Sequence, residues 1–463
     1  MIALTHVCQA WREAFVSRSS LWTDFNCAYA EKTRVYLERS KSSPINVRLY
    51  EGDDDDLSPR DPFLQIIPHA IGRLKSLVVY GTPGNLPGIV AHLCRPAPLL
   101  EYLLIDAGCE SEPHRNPTLA NTLFNGNLPS LRELYLQSIR TELPWRNLVN
   151  LTSFTLCNTL PRNLPIRQFL DFFESVPHLR KVCLSNATPI SGAQSGRLVS
   201  LAYLERMNII GDGPPSLLLD HLIIPVGAML ITQATSYGPL TENLLPRSLD
   251  NLRNLPDFIK IDLLMNELYP TIEFSGPNGQ VCMITITPPG DVTCLILESL
   301  ARFDTSKTER LKISCGNPLS SDPLYRALLP MKHLRTLTLS DCTSPDIFTH
   351  ALDPSMSSSG VVVCPELEEL VLILRRDEET LNVGDVIEMA EARASRGAKI
   401  RTVRIVGERG ELCPVDALEL EKHVWQVEHG PQVGAVGDDS DEGDEDGEDD
   451  EDDEGDEEDD EED

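Results

Sequence analysis

"PSLRELYL", Pro129–Leu136, decides how this chain is read. Its leucines stand at Leu131, Leu134 and Leu136, so the last two are two positions apart and point to one side of an extended backbone. The same phasing, apolar-x-x-apolar-x-apolar, occurs at Leu74/Leu77/Val79, Leu100/Leu103/Ile105, Leu151/Phe154/Leu156 and Leu179/Val182/Leu184. Looser copies follow at Leu204/Met207/Ile209 and Phe258/Ile261/Leu263. Clean ones return at Leu334/Leu337/Leu339, Leu367/Leu370/Leu372 and Ile400/Val403/Ile405. Whole phrases match too: "PHLRKVCL", "KHLRTLTL" and "PELEELVL".

Each copy predicts one short strand. Segments of helical pattern precede several of them: "RQFLDFFESV", "LYRALLPM" and "GDVIEMAEARA". A single strand and helix cannot bury its apolar side alone, and stacking such units does so. The expected fold is therefore α/β, an irregular leucine-rich-repeat solenoid. The irregularity lies in the spacing, 20 residues from Leu131 to Leu151 but 33 from Leu334 to Leu367. The competing fold is an ordinary α/β domain whose buried parallel strands resemble one another. Between residues 211 and 310 the pattern weakens, and "YPTIEFSGPNGQVCMITI" (Tyr269–Ile286) reads as a β-hairpin around a Gly/Pro/Asn turn, an insertion into or excursion from the array. Polar breaks fall at Glu51–Pro62 and Ser355–Gly360.

Charge divides the chain differently. From Asp438 to Asp463 only Ser440, Gly443, Gly447 and Gly455 are not acidic, which leaves 22 carboxylates. Removing these from the formal charge of −32 leaves −10 for the rest. Such a run repels itself and has little to bury, so a disordered tail is expected, able to attract basic proteins. The absence of a Lys/Arg stripe argues against nucleic acid as a partner. The 12 cysteines are scattered with no CxxC pair or zinc spacing, which predicts reduced thiols, an intracellular (cytoplasmic or nuclear) protein and no metal or cofactor. "SLLLDHLIIPVGAMLITQA" (Ser216–Ala234) is the most apolar stretch, but Asp220, His221 and Pro225 make it a buried helix and loop and not a membrane span. No GxxxxGK[ST], HExxH or GxSxG occurs and the histidines are isolated, so no enzyme is expected and no catalytic residue is assigned.

The beginning, "LTHVCQAWREAFVSRSSLWTDF" (Leu4–Phe25), is apolar out of proportion to its length. At helical spacing Leu4, Val7, Cys8, Trp11 and Phe15 share one face, and Leu21, Trp22 and Phe25 begin a second stripe. Two helices this short must pack on the remainder of the chain, on a partner, or on both. With "VCQAW" followed by "SLW", and then "RVYLERSKSSPINVRLYEG" (Arg34–Gly52), the region resembles the C-terminal part of an F-box in fungal F-box proteins with degenerate leucine-rich repeats. The Leu-Pro dipeptide and first helix that open an F-box are not matched ahead of "ALTHVC", so the expectation is a box truncated at its front.

The resemblance implies a non-enzymatic substrate-recognition subunit of a cullin-RING ubiquitin ligase. The box would dock on the cullin adaptor and the repeats on a protein substrate of unknown identity. Carried over, Leu4, Val7, Cys8 and Trp11 would build the helical body of the box. Leu21 and Trp22 would belong to its last helix, partly core and partly adaptor-facing. The alternative is an N-terminal cap on an interaction scaffold with no ubiquitin role. The expected division is a partial F-box-like segment over 1–48, a polar loop over 49–62, the repeat domain over 63–427 with its excursion near 211–310, and the acidic tail over 428–463.

Overall fold

The computed structural model describes residues 8–430, apart from 28, 51–66, 109–116, 120–122, 142–146, 159–164, 190–195, 212, 235–244, 256–257, 266–269, 278–280, 287–295, 298–299, 301, 316–319, 341–345, 357–359, 375–380 and 408–411. Leu4, Val7, the polar stretch 51–62 and the acidic run lie outside the described residues.

The chain folds as a mixed α/β protein around one large sheet. Its strands begin with β1 (Asp24–Asn26), β2 (Ile45–Tyr50), β3 (Leu74–Tyr80), β4 (Tyr102–Asp106), β5 (Thr118–Leu119), β6 (Glu133–Gln137), β7 (Arg140–Thr141) and β8 (Ser153–Cys157). Next come β9 (Lys181–Ser185), β10 (Val199–Ser200), β11 (Arg206–Gly211), β12 (Leu222–Ile223), β13 (Met229–Ala234), β14 (Lys260–Met265), β15 (Thr271–Ser275) and β16 (Val281–Ile286). The last are β17 (Arg310–Cys315), β18 (Thr336–Ser340), β19 (Glu369–Ile373), β20 (Thr402–Val406) and β21 (Gln426–Gly430). Seventeen of them share the sheet, while β5 with β7 and β10 with β12 form small separate pairs.

From β1 to β13 and again from β17 to β21, strands of the large sheet lie parallel and side by side in chain order. The register aligns the apolar pattern. Val47, Leu77, Leu103, Leu134, Phe154, Val182, Met207 and Leu230 form one buried row. Beside it run Leu49, Val79, Ile105, Leu136, Leu156, Leu184 and Ile209. Each such side chain contributes about 1.5–3 kcal/mol by leaving water, and each does so against its neighbours along the row.

The weak middle is an insertion into the sheet. Tyr269–Ile286 does contain an antiparallel pair, β15 with β16, but β14 joins it as a third strand. This meander enters the sheet in reverse spatial order, β13–β16–β15–β14–β17, so that β16 runs parallel to β13 and β14 parallel to β17. The buried rows continue through it as Cys282, Phe274 and Ile261, then Leu311. A protruding hairpin would leave two inner strand edges unpaired; insertion pairs them.

Helices cover one face. They are α1 (Gln9–Ser17), α2 (Ala30–Arg39), α3 (Leu86–Ala91), α4 (Ile166–Ser175), α5 (Pro215–Leu219), α6 (Ser321–Leu328), α7 (Asp346–Leu352), α8 (Val383–Ser395) and α9 (Pro414–His423). In α4 the apolar stripe Ile166, Phe169, Leu170, Phe173 is buried, as its spacing predicts. From α6 to α9 each helix packs on the next, in chain order. Helix α8 starts at an Asn382 cap, whose Oδ1 accepts from Gly384 N at 3.2 Å. The apolar stretch Ser216–Ala234 becomes most of α5, then β12 and β13, and among the described residues no helix is long and apolar enough to cross a membrane.

The N-terminal segment joins the sheet sooner than the helical reading expects. After a 3-10 turn at Ser19–Trp22, the alternation of Asp24, Phe25 and Asn26 forms β1, and Ile45–Tyr50 forms β2. The period-2 pattern of these short stretches prevails over the helical one because it lets Phe25 and Val47 extend the buried row.

Candidate interaction surface

Among the described residues, most side chains on the sheet face opposite the buried rows are half-buried or exposed. Near the N-terminal end this face is rich in tyrosine. Tyr50 and Tyr80 are register partners, stacked with ring centroids 5.0 Å apart and planes 8° from parallel. Tyr80 neighbours Asp106, which neighbours Gln137. Two positions earlier along the strands, Val78, Leu104 and Tyr135 lie abreast, and the Tyr135 hydroxyl donates to Gln137 Oε1 at 2.6 Å. Tyr102 completes the patch between Ser76 and Glu133. Tyrosines of this kind offer large contact area with a polar tip and little rotamer freedom to lose.

The patch is partly dry, and its ionisable groups register that. Burial raises the Asp106 carboxyl above its ordinary range, partly offset by the Gly108 N–H that donates to its Oδ1 at 2.9 Å. Burial likewise raises the phenols of Tyr102 and Tyr135. Next along the face come two thiols on neighbouring strands, Cys157 on β8 and Cys183 on β9, hydrogen-bonded to each other. Donation from Cys157 lowers the Cys183 thiol to about 7, with help from the Arg206 charge and the Asn208 side chain. Cys157, which holds the proton, is raised by that same bond and by burial. Both thiols are half-exposed, and Cys183 is the one of the two that ionises more readily.

Along the strand entrances runs an open groove of about 780 Å³, lined by Glu101, Arg132, Thr152, His178, Arg180 and Tyr203 among others. Glu101, Arg132, Thr152 and Arg180 come from the first x position of the repeating phrases, and His178 and Tyr203 stand just ahead of the first apolar residue. Their backbones form a ladder, in which Arg132 N donates to Glu101 O, Thr152 N to Arg132 O, Arg180 N to Thr152 O and Glu205 N to Arg180 O. The side chains alternate in sign: Lys75 pairs with Glu101 at 3.7 Å and Arg180 with Glu205 at 3.0 Å. At the opposite ends of the strands, Ser138, Asn158 and Asn186 adopt positive φ (55°, 48° and 50°), and Asn186 Nδ2 donates to Asn158 Oδ1 at 2.9 Å. Both rims staple one strand to the next.

The residues proposed for adaptor contact divide. Leu4 and Val7 lie outside the described residues. Cys8 is exposed ahead of α1, and Trp11 is 48% exposed with its ring 5.8 Å from that of Phe15. Leu21 is half-buried against the core. Trp22 is wholly buried: its indole N–H donates to Phe15 O at 2.8 Å, Tyr36 meets it edge-on at 5.2 Å, and the Arg39 guanidinium lies 4.4 Å from its ring centre. Trp22 thus closes the end of the sheet, and the Trp11 side of the segment is the part open to solvent.

Motif reading found neither the tyrosine patch nor the thiol pair. Both sit at positions between the repeating apolar residues, and a search of those positions for aromatics would have exposed the patch. Among the described residues no group of three or more His, Cys, Asp or Glu side chains is arranged to hold a metal ion. No protein-family model matches the sequence, and none of the curated proteins matches it.

Proposed function

We propose that this chain is a non-enzymatic protein-recognition subunit, an F-box-like protein on a degenerate leucine-rich-repeat solenoid, that presents a substrate to a cullin-RING ubiquitin ligase. The observation that carries the recognition role is the uncovered sheet face with its Tyr50, Tyr80, Tyr102 and Tyr135 patch. Strands stacked in chain order make that face long, and aromatic residues on such a face supply the anchors of a protein interface. The ligase role rests on the resemblance of "VCQAW" and "SLW" to an F-box and is supported by the exposure of Trp11. In this arrangement the adaptor takes the Trp11 side and the substrate takes the sheet.

The complete burial of Trp22 favours a second reading, in which the segment is a cap and the protein a scaffold without ligase partners. Calorimetric titration of the full chain with purified cullin adaptor separates the two. The ligase reading expects binding that Trp11→Ala weakens about tenfold or more, as loss of an aromatic anchor does. Absence of binding by the unaltered chain removes the ligase role. Tyr102→Ala with Tyr135→Ala should leave adaptor affinity unchanged and reduce ubiquitination of the bound substrate.

A further inference from the structure

The two ends of the sheet are finished differently. At the first strand, Phe25 extends the buried row and Trp22 and Tyr36 pack over it. At the last, the rows run out unfinished: Val403 passes to a half-buried Val427, and Ile405 to an exposed His429. Among the described residues β21 pairs with β20 alone, so its other edge carries unpaired backbone groups. The helix of this last unit, α9, buries Leu420 but leaves Val415 and Leu418, one turn apart, 72% and 64% exposed. Trp425, at the entrance to β21, is 76% exposed where Trp22 is 0%. A stacked array requires a polar outer face on its terminal unit, and this one exposes Val415, Leu418 and Trp425 in a unit whose last strand has a free edge among the described residues.

We infer that this end is a docking surface for a lysine- and arginine-rich polypeptide segment, which adds as a further strand on β21 and sets apolar side chains against Trp425, Leu418 and Val415. Charge selects the partner. The chain continues from Gly430 into a sequence with 22 carboxylates among its last 26 residues, a negative charge tethered to this unit that favours a basic partner. A second copy is disfavoured, because two such runs would be brought together. The Trp425 ring already attracts a cation: Lys399 Nζ lies 5.4 Å from its centroid. Strand addition supplies affinity through the backbone, and alternate side chains supply selectivity. This surface is separate from the tyrosine face and does not depend on the ligase reading.

The test uses the full chain and a labelled peptide alternating lysine with valine, followed by fluorescence anisotropy and by hydrogen exchange. Binding should slow amide exchange in β21 and fall steeply with added salt. Trp425→Ala combined with Leu418→Ser should weaken it about tenfold, in line with loss of an exposed aromatic anchor, with the thermal transition of the protein unchanged. A full-length variant carrying Asn and Gln in place of the tail's Asp and Glu should weaken it as well. The inference is overturned if the double substitution leaves affinity unaltered, since the tail alone would then be the site. Equal binding of a glutamate–valine peptide overturns it too, as does concentration-dependent self-association abolished by Trp425→Ala.

Discussion

Trp22 and Trp425 are the same residue under opposite constraints, and stability should reveal it. Trp22→Ala empties a closed aromatic site and is expected to destabilise the fold by about 3–5 kcal/mol in chemical denaturation. Trp11→Ala, on a half-exposed ring, should stay within about 0.5 kcal/mol. Cys183 provides a chemical counterpart. With its thiol lowered to about 7, the thiolate forms as pH rises through 7, where an ordinary cysteine would still be protonated. Iodoacetamide should therefore label Cys183 with a rate inflection near that pH, followed by mass spectrometry. Because the Cys157 proton is the leading cause, Cys157→Ala should move the inflection upward, and an inflection that stays put would discard the hydrogen-bond explanation.

Single elements depend on connections that no short motif announces. Helix α8 carries Arg393 inward, fully buried, where Nη1 donates to Val363 O at 2.7 Å and Nη2 to Cys364 O at 2.8 Å. One residue beyond its C-terminal end, Arg396 Nη1 donates to Gly360 O at 2.9 Å and Pro354 O at 2.7 Å. The pair anchors the segment that leads into β19. Arg393→Met keeps the volume but strands two buried carbonyls, and about 2–4 kcal/mol should be lost, measured by thermal or denaturant unfolding. At the end of β11, Gly211 has φ +144°, and a Cβ there would lie 2.5 Å from Asn186 Oδ1 and 2.8 Å from its backbone. Gly211→Ala should therefore cost about 1–3 kcal/mol, with the Asn158–Asn186 contact displaced in the process. Weakening the contact alone, by Asn186→Ala, should cost about 1 kcal/mol.

Across the whole molecule, strands that touch only their neighbours make stability travel along the sheet. Loss of the Trp22 cap should raise amide exchange in β1, β2 and β3 more than in β18, β19 and β20, as measured by hydrogen exchange at matched stability. Uniform acceleration would mean that the sheet melts as one unit. Much of this organisation was legible in advance. Leu131, Leu134 and Leu136 predicted a strand, and their counterparts predicted its repetition, because burial on one side forces a period of two. Strand β2 was less legible although Ile45, Val47 and Leu49 alternate, because its stretch reads as part of the connector after the N-terminal helices; β21 offers only Val427, and His429 replaces the second apolar residue.

The sequence by itself determined that the repeating apolar positions are buried, the α/β class and the separate composition of the acidic run. Those follow from local composition and periodicity, which each stretch carries alone. Only the tertiary structure decided which strands lie side by side, and with that the reversed meander β16–β15–β14, the tyrosine patch and the Cys157–Cys183 bond. Residues dozens of positions apart become neighbours through strand register, a property of pairs of segments that neither segment states. The same register left Trp22 covered at one end and Trp425 bare at the other, though both read alike as exposed-or-buried indoles in the linear chain.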